Sequence, residues 1–285
     1  MKFAFVKEHR DSWPVVAMCR VLQVSRSGFF AWLKRPASRR SKRQVELIKK
    51  IRAAHQQNRE LYGSPRVHRA LLIDGQSVSR NTVARLMRQE KIRAKSRRKF
   101  VPKTTDSHHG HPVAQNILDR DFQAEAPDRK WLVDITYVPT DQGWLYLAGV
   151  LDCFSRKIVG WSMAEHMETT LASDALEMAL QQRAPGGQLL HHSDRGVQYA
   201  SDDYQHRLQS RGITVSMSGK GDCYDNAMME SFWATLKTEL IHQNRYATRE
   251  QARAAIFEYI EVFYNRKRLH SALGYVSPEA FEAAA

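Results

Sequence analysis

Lys130-Trp131-Leu132-Val133-Asp134-Ile135-Thr136-Tyr137 has the apolar character of a strand and a carboxylate in its middle. Strand alternation puts Asp134 and Thr136 on one face and Trp131, Val133, Ile135 and Tyr137 on the other. An ionised aspartate inside an otherwise apolar strand is costly unless a cation or a donor meets it. The same reasoning applies to Asp194, which ends the segment Leu189-Leu190-His191-His192-Ser193-Asp194. A cap or an ion pair would explain either acid alone. Two such acids at strand positions of one domain are better explained by a bound metal.

A third acid, Glu230, falls in a helical stretch, residues 226–240. Met229, Phe232, Leu236 and Leu240 make its core stripe, and Glu230 lies to the side of that stripe. Lys237, seven residues on, returns to within roughly 20° of Glu230, and Asn226 falls on the same side. Taken alone, this face could be an exposed Glu and Lys that only solvate the helix. Beside the two strand acids it reads as a metal ligand and a phosphate-binding cation. Two hard cations held by carboxylate oxygens can flank one phosphorus and stabilise both attacking and leaving oxygens.

Around these acids the chain alternates strand and helix. Strands are expected at 132–138, 144–151, 157–163, 189–193 and 213–217, and helices at 170–182, 203–210 and 226–240. Three strands followed by alternating helices and strands predict an α/β domain, a mixed sheet flanked by helices. The segment before the last of these helices holds Lys220 and Tyr224, both candidates for DNA contact. Asp222 and Asp225 read as helix caps, and Asp152 as the stabiliser of its turn. His192 shares the strand face of Asp194, as a support to a ligand or as a structural histidine. Thr248-Arg249-Glu250-Gln251 has capping-box form and opens an apolar stripe of Ala252, Ala255, Ile256, Tyr259, Ile260 and Phe263.

The front of the chain is all-helical. In residues 1–40, Val15, Val16, Cys19 and Leu22 suggest one helix, and Ser25 caps a second over 26–34, a small helix-turn-helix. Residues 41–90 repeat the theme. Val45, Ile48 and Ile51 mark one helix, Ser64 caps another with Pro65 at its first helical position, and Ser79 caps a third with Val83, Leu86 and Met87 inward. Arg80, Asn81 and Arg85 are left on its outer face, where a recognition helix carries base-reading side chains. Solvated polar residues on a plain bundle are the alternative. Residues 91–125 read as a basic linker whose Arg97, Arg98 and Lys99 track phosphates. His108, His109 and His111 lack the spacing and the cysteines of a zinc site. The catalytic domain with a helical extension then fills 126–285.

Net charge is +14, and it is unevenly placed. Residues 1–120 hold 28 Lys and Arg against 8 Asp and Glu, whereas residues 121–285 hold 16 against 22. The front half suits a polyanion and the back half suits cations. Three scattered cysteines argue against a disulfide framework. No apolar run approaches the ~18 residues of a membrane span, and charge comes too early for a signal peptide. A reducing cytoplasm is the expected setting.

The sequence closely resembles a known family. Asp134, Asp194 and Glu230, with 35 residues between the last two, match the DDE signature of retroviral integrases and related transposases. The stretches 130–137, 151–161, 192–196, 225–232 and the ending from Tyr264-Asn265-Arg266 through Ser277-Pro278 are similar to the insertion-sequence-three family of transposases. The resemblance spans nearly the whole chain. It implies an RNase H-like core, two Mg²⁺ (or Mn²⁺) ions on Asp134, Asp194 and Glu230, and DNA strand cleavage and transfer. Asp134 would bridge the ions while Asp194 and Glu230 each complete one. It further implies a downstream-frame product that acts as a homo-multimer on double-stranded DNA, with the upstream-frame product as a partner. Two other readings start from the same residues: a helix-turn-helix regulator without catalysis, and an RNase H-like nuclease that cuts without joining.

Overall fold

A computed structural model of the chain describes residues 1–36, 38–95, 112–186, 188–219 and 223–285, without the side chains of Cys223 and Tyr224. Arg97, Arg98, Lys99, His108, His109, His111, Lys220 and Asp222, together with the Tyr224 side chain, lie outside the described residues.

The back half is built on five strands: β1 (Lys130–Thr140), β2 (Gly143–Asp152), β3 (Ile158–Ala164), β4 (Leu190–Ser193) and β5 (Thr214–Met217). Their order in the sheet is β3-β2-β1-β4-β5. The β1–β2 and β2–β3 pairs are antiparallel, and β4 runs parallel to both β1 and β5. This is the mixed sheet expected from the order of strands and helices. Alternation along β1 splits the core in two. Leu132 and Val138 join one apolar cluster, Trp131 and Val133 the other.

Before the sheet come α1 (Lys2–Glu8), α2 (Val15–Val21), α3 (Arg26–Lys34), α4 (Arg39–Gln57), α5 (Ser64–Ile73) and α6 (Arg80–Gln89). Between and after the strands lie α7 (Thr169–Arg183), α8 (Val197–Ala200), α9 (Asp202–Gln209), α10 (Ala227–Glu239), α11 (Arg249–Phe257) and α12 (Pro278–Glu282). Two glycines let helices reach the sheet closely. A Cβ on Gly160 of β3 would stand 2.3 Å from the Ala175 carbonyl oxygen of α7. One on Gly149 of β2 would stand 2.7 Å from Met229 Cε and 2.9 Å from Trp233 Cη2 of α10. The helices α7 and α10 therefore cover opposite faces.

Several local readings hold. Ser25 and Ser79 accept from Gly28 N–H at 3.0 Å and Thr82 N–H at 3.2 Å, capping α3 and α6. Thr248 accepts from Gln251 N–H at 3.2 Å, and Gln251 reaches back to Ala247 N–H. Asp152 does stabilise its turn, taking Ser155 N–H at 3.0 Å and Asp128 N–H at 2.7 Å. Other readings are corrected. Val16 is 51 % exposed, because α1, absent from the sequence reading, brings Val6 onto Met18, Cys19 and Phe29 and turns the buried stripe of α2 toward them. Val45 is 53 % exposed, since the face of α4 that meets α5 and α6 is centred on Ile51 and Ala54. Ser64 is the first residue of α5 and Gly63 is its cap. The short α8 carries no periodic signal and was not anticipated.

The unit α4–α6 does not stand apart. Its Ile51, Val67, Leu71, Val83 and Leu86 belong to the same cluster as Phe232, Ile256 and Phe263. Tyr62 Oη accepts from Leu269 N–H at 2.8 Å, Arg59 pairs with Glu258, and the Arg59 guanidinium lies 4.3 Å from the Phe263 ring centroid.

Candidate active site

Sheet register assembles the first two acids. Leu132 pairs with His192, and the same parallel register continued by two residues sets Asp194 level with Asp134. Asp194 sits where β4 ends and the chain turns into α8. Its Oδ1 accepts from Gly196 N–H at 2.9 Å, and a side chain at Gly196 would crowd that oxygen. The third acid arrives on α10. Opposite Asp134 in the β1–β2 register stands Gly149, the glycine on which Trp233 of α10 rests. Trp233 can therefore donate from Nε1 to Asp134 Oδ2 at 3.0 Å. One turn earlier on the same helix is Glu230, whose side chain is exposed.

The charges interact as a shared site would have them do. Burial first, then the Asp194 carboxylate, push Asp134 up to about 8, with Glu230 adding to the rise. Hydrogen bonds from Ile135 N–H and Trp233 oppose it. Partial burial raises Glu230 as well. Lys237 is lowered by burial, while Asp134 works to keep it charged. Its Nζ lies 5.0 Å from the Tyr137 ring centroid, so α10 sends Lys237 toward β1.

A cavity of about 200 Å³ opens here, lined by Asp134, Thr136, Tyr137, Asp194, Gln198 and Tyr199 among others. Among the described residues no group of three or more His, Cys, Asp or Glu side chains stands close enough together to hold a metal ion. The chemistry of the donors nevertheless fits a hard divalent cation: two neighbouring carboxylates cannot both ionise cheaply without one, and a third carboxylate, Glu230, stands exposed on α10. The buried Tyr199 hydroxyl at this cavity has no hydrogen-bond partner among the described residues.

The remaining candidates separate. Asn226 is only 6 % exposed and donates from Nδ2 to Val133 O at 3.1 Å. The turn into α10 thus folds its amide nitrogen under β1, while its Oδ1 is buried without a hydrogen-bond partner among the described residues. Asp225 accepts from Asn116 Nδ2, Gly219 N–H and Arg120 Nε, which fastens the segment before α10. His192 is tied to Ser216 Oγ at 2.8 Å and Ser218 Oγ at 3.1 Å, and burial holds it down at about 4, neutral between β4 and β5. Arg80, Asn81 and Arg85 are exposed on α6, with Arg85 bonded to Gln89 at 3.0 Å. Trp233, Tyr199 and Gly149 were missed by sequence reasoning. Trp233 sits three residues after Glu230, a spacing that could have marked it as a neighbour of whatever Glu230 serves.

Comparison with known proteins bears on this arrangement. Residues 124–223 and 211–278 match models described as integrase core domain, and residues 42–100 match one described as HTH-like domain. The chain is 45 % identical over 284 residues to "Transposase InsF for insertion sequence IS3A" of Escherichia coli (strain K12), covering 99 % of this chain and 98 % of that protein. It is 46 % identical over 264 residues to the "Insertion element IS600 uncharacterized 31 kDa protein" of Shigella sonnei, covering 93 % and 97 %. Among solved structures it is similar to a simian T-cell lymphotropic virus intasome chain, at 17 % identity and TM-score 0.48, over 75 % of this chain and 69 % of that one. The HTLV-2 integrase catalytic core domain in complex with magnesium matches at 15 % identity and TM-score 0.43, over 56 % and 99 %.

Proposed function

The chain belongs to the insertion-sequence-three family of DDE transposases, and from that premise we propose that Asp134, Asp194 and Glu230 form its catalytic centre, cutting the ends of a bacterial insertion sequence and joining them to target DNA. The observation that carries this reading is the parallel pairing of β1 with β4, whose last pair lies two residues before Asp134 and Asp194, with the helix of Glu230 fastened to Asp134 through Trp233.

Divalent ions bound there, two Mg²⁺ or Mn²⁺, would supply positive charge to the phosphodiester oxygens and a water acidic enough to attack at neutral pH. The protein's own residues do the rest. Asp134 and Asp194 offer oxygens from adjacent strands that the sheet keeps rigid. Trp233 orients one Asp134 oxygen, leaving the carboxylate's other lone pairs for the site. Lys237 holds the phosphate's negative charge beside Tyr137. In the first step water adds to phosphorus and loses a proton while the 3′ oxygen of the element end departs and becomes the 3′-OH; in the second that 3′-OH loses its proton and bonds to a target phosphorus, whose bond to the target strand's 3′ oxygen breaks, releasing a target 3′-OH. No serine or tyrosine nucleophile is required.

The basic front half holds the DNA. Arg80, Asn81 and Arg85 on α6 would meet bases, and the run with Arg97, Arg98 and Lys99 would follow phosphates, as would Lys220 and Tyr224 nearer the acids. Two element ends must meet, so a homo-multimer on DNA, assisted by the upstream-frame product, is the working assembly, in a bacterial cytoplasm at the nucleoid. Among the described residues no helix is long and apolar enough to cross a membrane.

The test is a strand-transfer assay with Mg²⁺ and a labelled duplex carrying the element's own end. Native protein, fused to the upstream-frame segment where needed, should give cleaved and joined products. Asp134→Asn, Asp194→Asn and Glu230→Gln should each abolish them while DNA binding persists. Substantial cleavage by any of the three removes that residue from the centre.

A further inference from the structure

Behind α10, on the side away from Asp134, a second cavity of about 110 Å³ lies at the seam between the helix-turn-helix unit and the sheet domain. Arg66 of α5, Arg156 of the β2–β3 turn, Arg268 and His270 of the C-terminal segment, and Ser231 and Thr235 of α10 line it. Three guanidiniums thus meet from three separate parts of the chain.

Their counter-charge is short. Glu239 is the carboxylate beside them, and it is committed. Arg268, 5 % exposed, takes both of its oxygens at 2.8 and 2.6 Å. Tyr259 donates to it at 2.8 Å, and Arg66 reaches it only at 3.8 Å. The Arg156 side chain has no ion pair or hydrogen bond among the described residues. Burial, then repulsion from Arg268, lowers Arg66. His270, bonded to Arg268 at 3.2 Å, is driven down to about 2 by burial and then by Arg268, Arg66 and Arg156. Charges of one sign gathered in a half-closed pocket cost stability unless something of the other sign joins them.

The space suits that partner. The cavity, about 110 Å³, has room for a tetrahedral oxyanion. Arginine forks and two hydroxyls offer the planar and bent donor geometry that phosphate oxygens accept.

We propose that Arg66, Arg156 and Arg268, with Ser231 and Thr235, form a binding site for one phosphate-type oxyanion, clamping the helix-turn-helix unit to the back of the helix that carries Glu230. The anion is either a phosphodiester of bound DNA or free phosphate. The DNA source rests on the transposase reading; the site itself does not.

The experiment compares full-length native protein with Arg156→Gln, and with Arg66→Gln should the first fail to fold. Melting is followed in phosphate and in chloride at matched ionic strength without divalent metal. Native protein should melt several degrees higher in phosphate, a ligand-linked rise. Arg156→Gln should lose that rise while melting no lower than native in chloride, since it sheds an unpaired cation; a merely structural arginine would do the reverse. Duplex binding against salt then separates the sources. If DNA supplies the phosphate, the slope of log K on log salt falls by about 0.9 in the variant. If free phosphate does, the slope is unchanged and the melting difference remains. An equal phosphate rise in native and variant proteins overturns the proposal. Neither readout needs strand cleavage, so an inactive triad would leave this result standing.

Discussion

Asp134 accepts hydrogen bonds that favour its charged form, from Ile135 N–H and Trp233 Nε1, while burial and Asp194 favour its neutral one. Under the proposed function a cation would relieve this conflict, and the carboxylate is already aimed. Trp233 supplies the aim: its indole is fixed between α10 and Gly149, so its N–H has one place to point. Trp233→Phe keeps most of the packing and removes only that donor. Loss of a hydrogen bond that orients a metal-ligating group costs about 10–100-fold in metal affinity or activity. We expect cleavage by Trp233→Phe to need a correspondingly higher Mg²⁺ concentration, with DNA affinity and melting temperature close to native. A Mg²⁺ titration of cleavage that overlays the native curve would show that Trp233 only fills space.

At the scale of elements, the question is what brings α10 to the sheet. Gly149 is the answer on the β2 side. A methyl there would press on Met229, whose end can move, and on Trp233, which cannot move without releasing Asp134. Gly149→Ala should destabilise by about 1–3 kcal/mol, the usual range for overpacking a filled core. It should also lower cleavage more than the stability loss explains, because it lifts Glu230 and Lys237 away from β1. Denaturant unfolding and cleavage measured on one preparation check both parts; a stable and fully active variant would place the control of α10 elsewhere. The first strand was legible because Trp131, Val133 and Ile135 recur at every second position beside an acid, and α10 because Met229, Phe232 and Leu236 repeat at helical spacing. The role of Asn226 was not legible, since helical phase places it beside Glu230 but cannot report that the turn before α10 folds it under Val133. Nor was α1, whose residues acquire an inner face only once Met18, Cys19 and Phe29 are there to meet Val6. Periodicity speaks for an element's own pattern, and these two cases depend on a neighbour distant in sequence.

For the whole molecule, buried neutral histidines stand at joints between its parts. His191 links β4 to Tyr204 of α9 at 2.9 Å, His192 links β4 to β5, and His270 lies at the seam with the helix-turn-helix unit. Burial is the first cause of depression in each, taking His191 to about 3 and His192 to about 4. The sign follows from linkage. A histidine whose folded value is depressed binds its proton in the unfolded chain first, so its stability is whole above the unfolded value near 6.5 and is lost as pH falls below it. Each such histidine removes about 1.4 kcal/mol per pH unit down to its folded value. Because α4–α6 and the sheet domain share one apolar cluster, the loss should appear as a single cooperative transition and not as the early release of one part. His191→Gln tests the account without breaking the joint, as its amide can still meet Tyr204 but cannot titrate. Urea unfolding between pH 7 and 4 should show the variant losing stability more shallowly, by about 1.4 kcal/mol per unit. Parallel native and variant pH profiles would mean that His191 is already protonated in the fold, and that the acid sensitivity of the molecule comes from its carboxylates.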